Sequence, residues 1–454
     1  MNLFCGRHTR PRRRLILLDT QPAERLPAHA GIYPGRVLWK HPPTLRRQGP
    51  SMKDLMLVHI FGPDRPGITA DVAILLADYG VDILDMGQAV IHDALSLGML
   101  IRIPDGGQAA AVVKDLLYAA HEMGIGCKFT PVSPEGYDTW VEAAGKPRWI
   151  VSLLGRTISA GQVASVAKVL TANGLNIQSI NRLTGRPRLG EADSDRPACI
   201  EFSVRGDPGD VQAMRKAFLA IAADMGVDIA LQEDNAFRRN RRLVAFDMDS
   251  TLIRVEVIDE LAKAWGVGEQ VSAITESAMR GELDFRQSLA RRLSLLKGMP
   301  VDTLDRVAEH IPLNDGAEKL VRNLKRFGYK TAVISGGFTF FGEKLKARLG
   351  IDYVHANRLK IADGRLTGEV DGEIVDARRK AELLKAIADS ENISLKQTIA
   401  VGDGANDLPM LNLAGLGIAF RAKPVVKEGA GHAISTLGLD AVLYLLGFRD
   451  RDIE

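Results

Sequence analysis

From residue 55 onward, short apolar runs alternate with stretches of helical spacing. Leu55-Met56-Leu57-Val58-His59-Ile60 predicts a strand. Ile68 to Tyr79, apolar at Ile68, Val72, Leu75 and Leu76, predicts a helix closed at Gly80. Val81 to Leu84, a strand around Gln88 to His92, a strand from Leu97 to Ile103, a helix from Gln108 to Met123 and a weak strand near Cys127 to Thr130 follow. The same order then repeats: a strand at Trp149 to Leu154, a helix from Ala160 to Ala172, a strand at Ala198 to Val204, a helix from Val211 to Met225 and a strand near Val227 to Leu231. Asn173-Gly174-Leu175-Asn176-Ile177 mirrors Tyr79-Gly80-Val81-Asp82-Ile83. Strand–helix–strand–strand–helix–strand, twice over, predicts two small ferredoxin-like βαββαβ sandwiches, at 52–145 and 146–235. The polar insertion Thr184 to Arg196 is expected to be a mobile loop.

The pattern changes after residue 236. Leu243-Val244-Ala245-Phe246, Thr331-Ala332-Val333-Ile334 and Thr398-Ile399-Ala400-Val401 are short, continuously apolar runs suited to buried parallel strands. Between the first two, about Val255 to His310, the spacing is mostly helical. Arg358 to Gly368, with its Asp363-Gly364 turn, predicts a hairpin flap.

Composition adds limits. A chain of 454 residues exceeds one ordinary domain and suggests about three. Its 46% hydrophobic and 25% charged content is that of a globular protein with a sizeable core, and a net charge of +3 gives no reason to expect a nucleic-acid partner. Cys5, Cys127 and Cys199 form no metal-spaced or paired set, which fits a reducing compartment. No apolar run is long enough to span a membrane, so a cytoplasmic protein is expected. Residues 1–51, with Arg12-Arg13-Arg14 and scattered Pro, predict a disordered tail or an over-extended start, translation beginning at Met52.

The chemistry is concentrated where the apolar strands end. Asp247-Met248-Asp249 follows the first, and acids at the carboxyl end of a parallel strand sit in the crevice where open α/β sheets hold ligands. One carboxylate can attack phosphorus and the other can serve as acid and base. Alone, such a pair is more readily a solvated turn. Ser335-Gly336-Gly337 ends the second strand, where a hydroxyl and glycine backbone can approach a phosphate; Lys380 opens a helix and can neutralise phosphate charge. Gly402-Asp403-Gly404-Ala405-Asn406-Asp407 caps the third strand with two more acids.

These four elements, in this order over roughly 240–445, resemble the signature of the haloacid dehalogenase superfamily in its phosphatase branch. The resemblance implies a Rossmann-like parallel-sheet α/β core with a helical cap at about 255–310. It implies Asp247 as nucleophile and metal ligand, and Asp249 as general acid/base and metal ligand through its backbone carbonyl. Asp403 would ligate Mg²⁺ with Asp407 behind it, while Ser335, Gly336, Lys380 and Asn406 hold the phosphoryl group or substrate. Met279-Arg280-Gly281-Glu282-Leu283-Asp284-Phe285 and Ser288-Leu289-Ala290-Arg291-Arg292-Leu293 resemble the cap of the phosphoserine phosphatase family. By that match Glu256 would hold the substrate ammonium, Arg292 (rather than Arg291) its carboxylate, and Phe285 would pack over it.

Gly62-Pro63-Asp64-Arg65-Pro66-Gly67-Ile68 with the element order around it resembles the ACT family of regulatory domains; Gly155-Arg156-Thr157-Ile158 stands at the same place in the second copy. This implies an amino acid, serine among the candidates, bound around Asp64 to Gly67 and Gly80 to Asp85, and a homodimer. The expected function is hydrolysis of phosphoserine, the last step of serine biosynthesis, with feedback by serine. A phosphatase of another small metabolite or of a phosphoprotein, and an amino-acid sensor, remain the alternatives.

Overall fold

The structure, a computed structural model, describes residues 55–186, 196–279 and 282–454. The Arg-rich segment 1–51, the expected start at Met52, residues 187–195 of the expected mobile insertion, and Arg280-Gly281 of the cap motif lie outside the described residues. The chain divides into two compact units at Pro134/Glu135.

In the first unit, β1 (Leu55–Pro63), α1 (Ile68–Asp78), β2 (Asp82–Ile91), β3 (Ala94–Arg102), α2 (Ala109–Glu122) and β4 (Gly126–Val132) form an antiparallel sheet of order β2-β3-β1-β4 with two helices. Alternation along β1 sends Val58 and Ile60 inward, where they meet Val72, Leu76, Val112 and Leu116 from the helices. The turn into α1 needs Gly67, which sits at φ 101°. The second strand, expected around Gln88 to His92, begins earlier, at Asp82, and takes in most of the Val81 to Leu84 run. β2 lies at the sheet edge with its side chains largely exposed, so the polar break at Asp85 to Gly87 interrupts no core; a bulge between Ile83 and Asp85 absorbs it.

The second unit begins with α3 (Pro134–Ala144), which the sequence pattern did not announce: none of its side chains is buried, so no apolar stripe marks it. Next come β5 (Arg148–Gly155), α4 (Ala160–Ala172), β6 (Asn176–Arg182), β7 (Ala198–Arg205), α5 (Val211–Met225) and β8 (Asp228–Glu233), with sheet order β6-β7-β5-β8, the same topology as the first unit. Ser159 closes a capping box at the start of α4, and Asp210 caps α5.

The remainder of the unit is built on β9 (Leu243–Phe246). Four helices, α6 (Val257–Trp265), α7 (Gly268–Met279), α8 (Phe285–Leu295) and α9 (Asp302–Ala308), form the expected cap, and α10 (Ala317–Arg326) returns the chain to β10 (Lys330–Phe338). Then follow α11 (Thr339–Leu349), the hairpin β11 (Tyr353–Ala362) and β12 (Arg365–Asp371), α12 (Ala377–Ser390), β13 (Thr398–Gly402), α13 (Leu408–Leu413), β14 (Leu416–Phe420), α14 (Pro424–Ala430), β15 (Ala433–Ile434) and α15 (Val442–Leu445). Among the described residues the sheet order is β12-β11-β10-β9-β13-β14-β15, with β9 flanked on both sides by parallel neighbours. Leu243 to Phe246 are all completely buried, which is why that strand reads as an unbroken apolar run.

Specific polar contacts join β8 to this sheet. The buried Asp228 carboxylate accepts from the backbone N–H of Ser435 (2.8 Å) and Thr436 (3.0 Å), and Gln232 Nε2 donates to the Leu445 carbonyl at 2.9 Å. His432 lies between the carbonyls of Leu231 (2.7 Å) and Gly417 (3.2 Å), and burial pushes its imidazole down to about 4.

Candidate active site

The parallel register decides which residues meet. Phe246 is level with Val333 on β10 and Val401 on β13, so Asp247, Ser335 and Asp403 all leave the sheet at its carboxyl edge within a residue or two of one another. The backbone of Asp247 stays tied to β13 through its N–H to the Val401 carbonyl at 2.8 Å. Its carboxylate accepts from the N–H of Met248 at 2.8 Å and is 6% exposed.

Lys380, on the first turn of α12, is completely buried and reaches Asp407 at 2.6 Å and Asp247 at 2.9 Å. Burial by itself would favour the neutral amine, but the two carboxylates outweigh it and hold the ammonium well above its ordinary value. Asp407 also accepts from the Gly404 N–H at 2.9 Å, so both of its oxygens are committed. A side chain on Gly402 would come within 2.5 Å of the Asp407 carboxylate; the glycine is there to let that acid close on the strand end.

Asp247, Asp403 and Asp407 offer oxygens that all lie within 4.8 Å of one another. Burial, then the charges of Asp247 and Asp407, push the Asp403 carboxyl up to about 8, although Thr251 Oγ1 donates to it at 2.8 Å. Crowded hard-oxygen donors with too little cationic charge are the donor set a divalent cation suits, so the residues present fit a metal.

Asp249 projects from a tight, irregular turn over Met248–Leu252 in which Ser250 adopts φ 56°. Burial, then Glu256 and Asp247, raise its carboxyl well above the ordinary carboxylate range, while the N–H of Val257 donates to it at 3.2 Å. Gly337 makes room for it: a Cβ there would collide with the Asp249 carboxylate and with Met248 Cε. The expected end of β10 at Ser335-Gly336-Gly337 is instead a bulge within a longer strand, since pairing with β11 slips between Ile334 and Phe338. Ser335 is fully buried and its Oγ accepts from the Gly337 N–H at 3.0 Å.

The cap residues converge on the same cleft. Glu256 is the N-cap residue of α6 and accepts from Ser250 Oγ at 2.9 Å; its outer edge faces solvent, yet the protein encloses it enough that desolvation raises its carboxyl. Arg292, on α8, has a buried Nε with no hydrogen-bond partner. Desolvation lowers its basicity, and Glu256, Asp259 and Asp249 oppose this. Arg291, its neighbour, faces solvent, so the helix phase separates the two arginines. A methyl placed on Gly336 would lie 3.0 Å from Phe285 Cζ, so the cap aromatic packs directly on the glycine loop. Asn406 is half-buried beside Gly404 on the Asp403 loop. Asp247, Asp249, Ser335, Lys380, Asp403 and Asp407 thus lie at the carboxyl edge of the sheet, with Glu256, Phe285 and Arg292 on the cap side and Asn406 on the Asp403 loop.

Three side chains that build the site escaped the sequence reading. Thr251 holds Asp403, and its signal was its place directly after Asp-Met-Asp-Ser. Asn357, completely buried, donates to the Gly336 carbonyl at 2.7 Å and accepts from the Val375 N–H at 2.8 Å, orienting the glycine loop. Asn314 donates to backbone carbonyls of the turn that carries Asp249. Neither asparagine belongs to a local motif.

A haloacid dehalogenase-like hydrolase model matches residues 244–412, and two ACT domain models match 54–130 and 149–232. The chain is 43% identical over 399 residues to a phosphoserine phosphatase of Streptomyces coelicolor, spanning 88% of this chain and 93% of that protein. It is 40% identical over 400 residues to phosphoserine phosphatase SerB2 of Mycobacterium tuberculosis, spanning 88% and 94%. Similar solved structures include a HAD-family hydrolase from Salmonella enterica serovar Typhi (TM-score 0.56, 32% identity, 65% of this chain and 98% of that one). Another is an unliganded probable phosphoserine phosphatase from Vibrio cholerae (TM-score 0.52, 37% identity, 66% and 86%).

Proposed function

The chain belongs to the phosphoserine phosphatase family of haloacid dehalogenase-like hydrolases, and on that premise we propose that it converts O-phospho-L-serine to L-serine and phosphate. Asp247 attacks phosphorus and the P–O bond to serine breaks, while Asp249 gives its proton to the departing alkoxide. Asp249 then takes a proton from water, which attacks the aspartyl-phosphate, releases phosphate and restores the Asp247 carboxylate. A raised carboxyl at Asp249 suits the first of these duties, since the group must begin protonated.

Lys380, Ser335, the Gly336 backbone and Asn406 hold the phosphoryl oxygens. Mg²⁺ would be held by Asp247, Asp403 and the Asp249 carbonyl, with Asp407 supporting from behind; when bound it offsets the repulsion between anionic nucleophile and anionic substrate. Glu256 takes the substrate ammonium, Arg292 its carboxylate, and Phe285 closes over both. The observation that carries the substrate reading is the buried, unpartnered Arg292 Nε within the cleft that also holds Glu256, a positive and a negative group placed for a zwitterion.

The test is charge reversal of Arg292 and of Glu256. Each should raise KM for phosphoserine by at least ~10²-fold and for an aryl phosphate by under about 5-fold, by the cost of losing a charged hydrogen-bond partner. Equal effects on both substrates would refute the zwitterion clamp.

The ACT domains support a regulatory reading: serine, the product, binds around Asp64 to Gly67 and Gly80 to Asp85 and inhibits the enzyme, which works as a cytoplasmic homodimer at the last step of serine biosynthesis. Removal of residues 1–235 with serine inhibition unchanged would overturn that regulation.

A further inference from the structure

We infer that Asn314, held by Arg421, is the positioning residue that keeps Asp249 at the angle its acid role requires; the inference rests on the reading of Asp249 as the acid. Asn314 lies where the chain returns from the cap, and it is 6% exposed. Its Nδ2 faces three backbone carbonyls of the Asp249 turn: Ser250 at 3.0 Å, Thr251 at 2.8 Å and Ile253 at 3.1 Å. Its own N–H donates to the fourth, Leu252, at 2.9 Å. One side chain and its backbone thus collect four consecutive carbonyls of a turn that contains a left-handed serine.

The turn's other bonds use its N–H and side-chain groups, Ile253 N–H to the Met248 carbonyl at 3.1 Å, Ser250 Oγ to Glu256 and Thr251 Oγ1 to Asp403, and leave the carbonyls of 250–253 to Asn314. A left-handed conformation at Ser250 is unfavourable unless its surroundings enforce it, and a primary amide is a small group whose two N–H hydrogens can be shared among neighbouring carbonyls. The amide is itself fixed: Arg421 Nη1 donates to Asn314 Oδ1 and Arg421 Nη2 to the Asp315 carboxylate, both at 3.3 Å. Arg254, at the start of the cap, binds the other oxygen of Asp315, and Ile253 pairs with Leu313 as an antiparallel bridge. The two strands that connect the cap to the core are therefore tied to the Asp249 turn through Asn314. Arg421 also occupies a left-handed conformation, φ 48°, directly after β14, which turns its guanidinium to this cluster.

A positioning role for an acid has a signature that plain structural support lacks: dependence on the leaving group. Serine leaves as a poor alkoxide and needs the proton from Asp249, whereas p-nitrophenolate leaves without one. In rapid-quench single turnovers, Asn314→Leu should slow first-turnover serine release by about 10- to 100-fold, the scale of an acid displaced by about an ångström. The burst of p-nitrophenolate should slow by under about 3-fold. Arg421→Gln, at an exposed position, should show the same split at about 3- to 10-fold, and covers the case in which Asn314→Leu does not fold. Asp249→Asn is the reference. If it shows no split, the reading of Asp249 is wrong; if it does while Asn314→Leu and Arg421→Gln slow both leaving groups equally, this inference is overturned.

Discussion

Replacing Lys380 with methionine tests the charge arrangement of the site. The ammonium is completely buried and bonded to Asp407 at 2.6 Å and Asp247 at 2.9 Å. Methionine is close in volume, so packing is nearly preserved and the change is one of charge. Two buried carboxylates would lose their shared cation, a kind of loss that costs roughly 3–5 kcal/mol. Against a total stability on the order of 5–15 kcal/mol, this is a large fraction. At about 2–4 °C per kcal/mol for a domain of this size, the melting temperature should fall by roughly 6–20 °C. The comparison is thermal unfolding of wild type and Lys380→Met in EDTA at pH 7.5, repeated at pH 5, where protonation of the stranded acids should recover part of the loss. Asp407→Asn added to Lys380→Met should also recover part of it, because it removes one uncompensated charge. A drop of under about 1 kcal/mol at pH 7.5, or no recovery in the double variant, would show that Lys380 does not hold these carboxylates.

Other outcomes follow from the same geometry. Asp247→Asn should abolish phosphoserine turnover with the fold intact by circular dichroism. In metal-free protein, Asp403 titrates near 8 rather than near 4, so the folded state binds the extra proton and stability should fall as pH rises from about 4 to 8. His432, held down to about 4, works the other way between about 6.5 and 4, because there the unfolded state binds the extra proton. Denaturant titrations in EDTA should therefore gain stability from pH 8 to 6.5, with Asp403 alone contributing about 1.5 kcal/mol and the raised Asp249 adding in the same sense, and saturating Mg²⁺ should reduce that gain. Gly337→Ala should cut kcat by at least ~10²-fold at a modest cost in melting temperature, since its Cβ would occupy the place of the Asp249 carboxylate.

The sequence by itself determined the architecture of the phosphatase core and the place of its acids. β9, β10 and β13 are buried on both faces, and only uninterrupted apolar runs satisfy that environment, so the polar residues at their ends stand out. Both βαββαβ units were legible for a related reason, since helices and strands packed on one side keep their apolar period. The helix α3 was not legible because none of its side chains is buried, and the first half of β2 was not legible because an edge strand needs no continuous apolar face. Tertiary structure alone decided how the separate motifs become one site. Parallel register brings Asp247, Ser335 and Asp403 level across neighbouring strands, and helix phase turns Arg292 rather than Arg291 inward. It also decided that Asn314 and Asn357, indistinguishable in sequence from surface asparagines, hold the backbone of the catalytic and glycine loops. Their role depends on which carbonyls the fold brings to within about 3 Å of an amide, a proximity between residues far apart in the chain that local spacing does not encode.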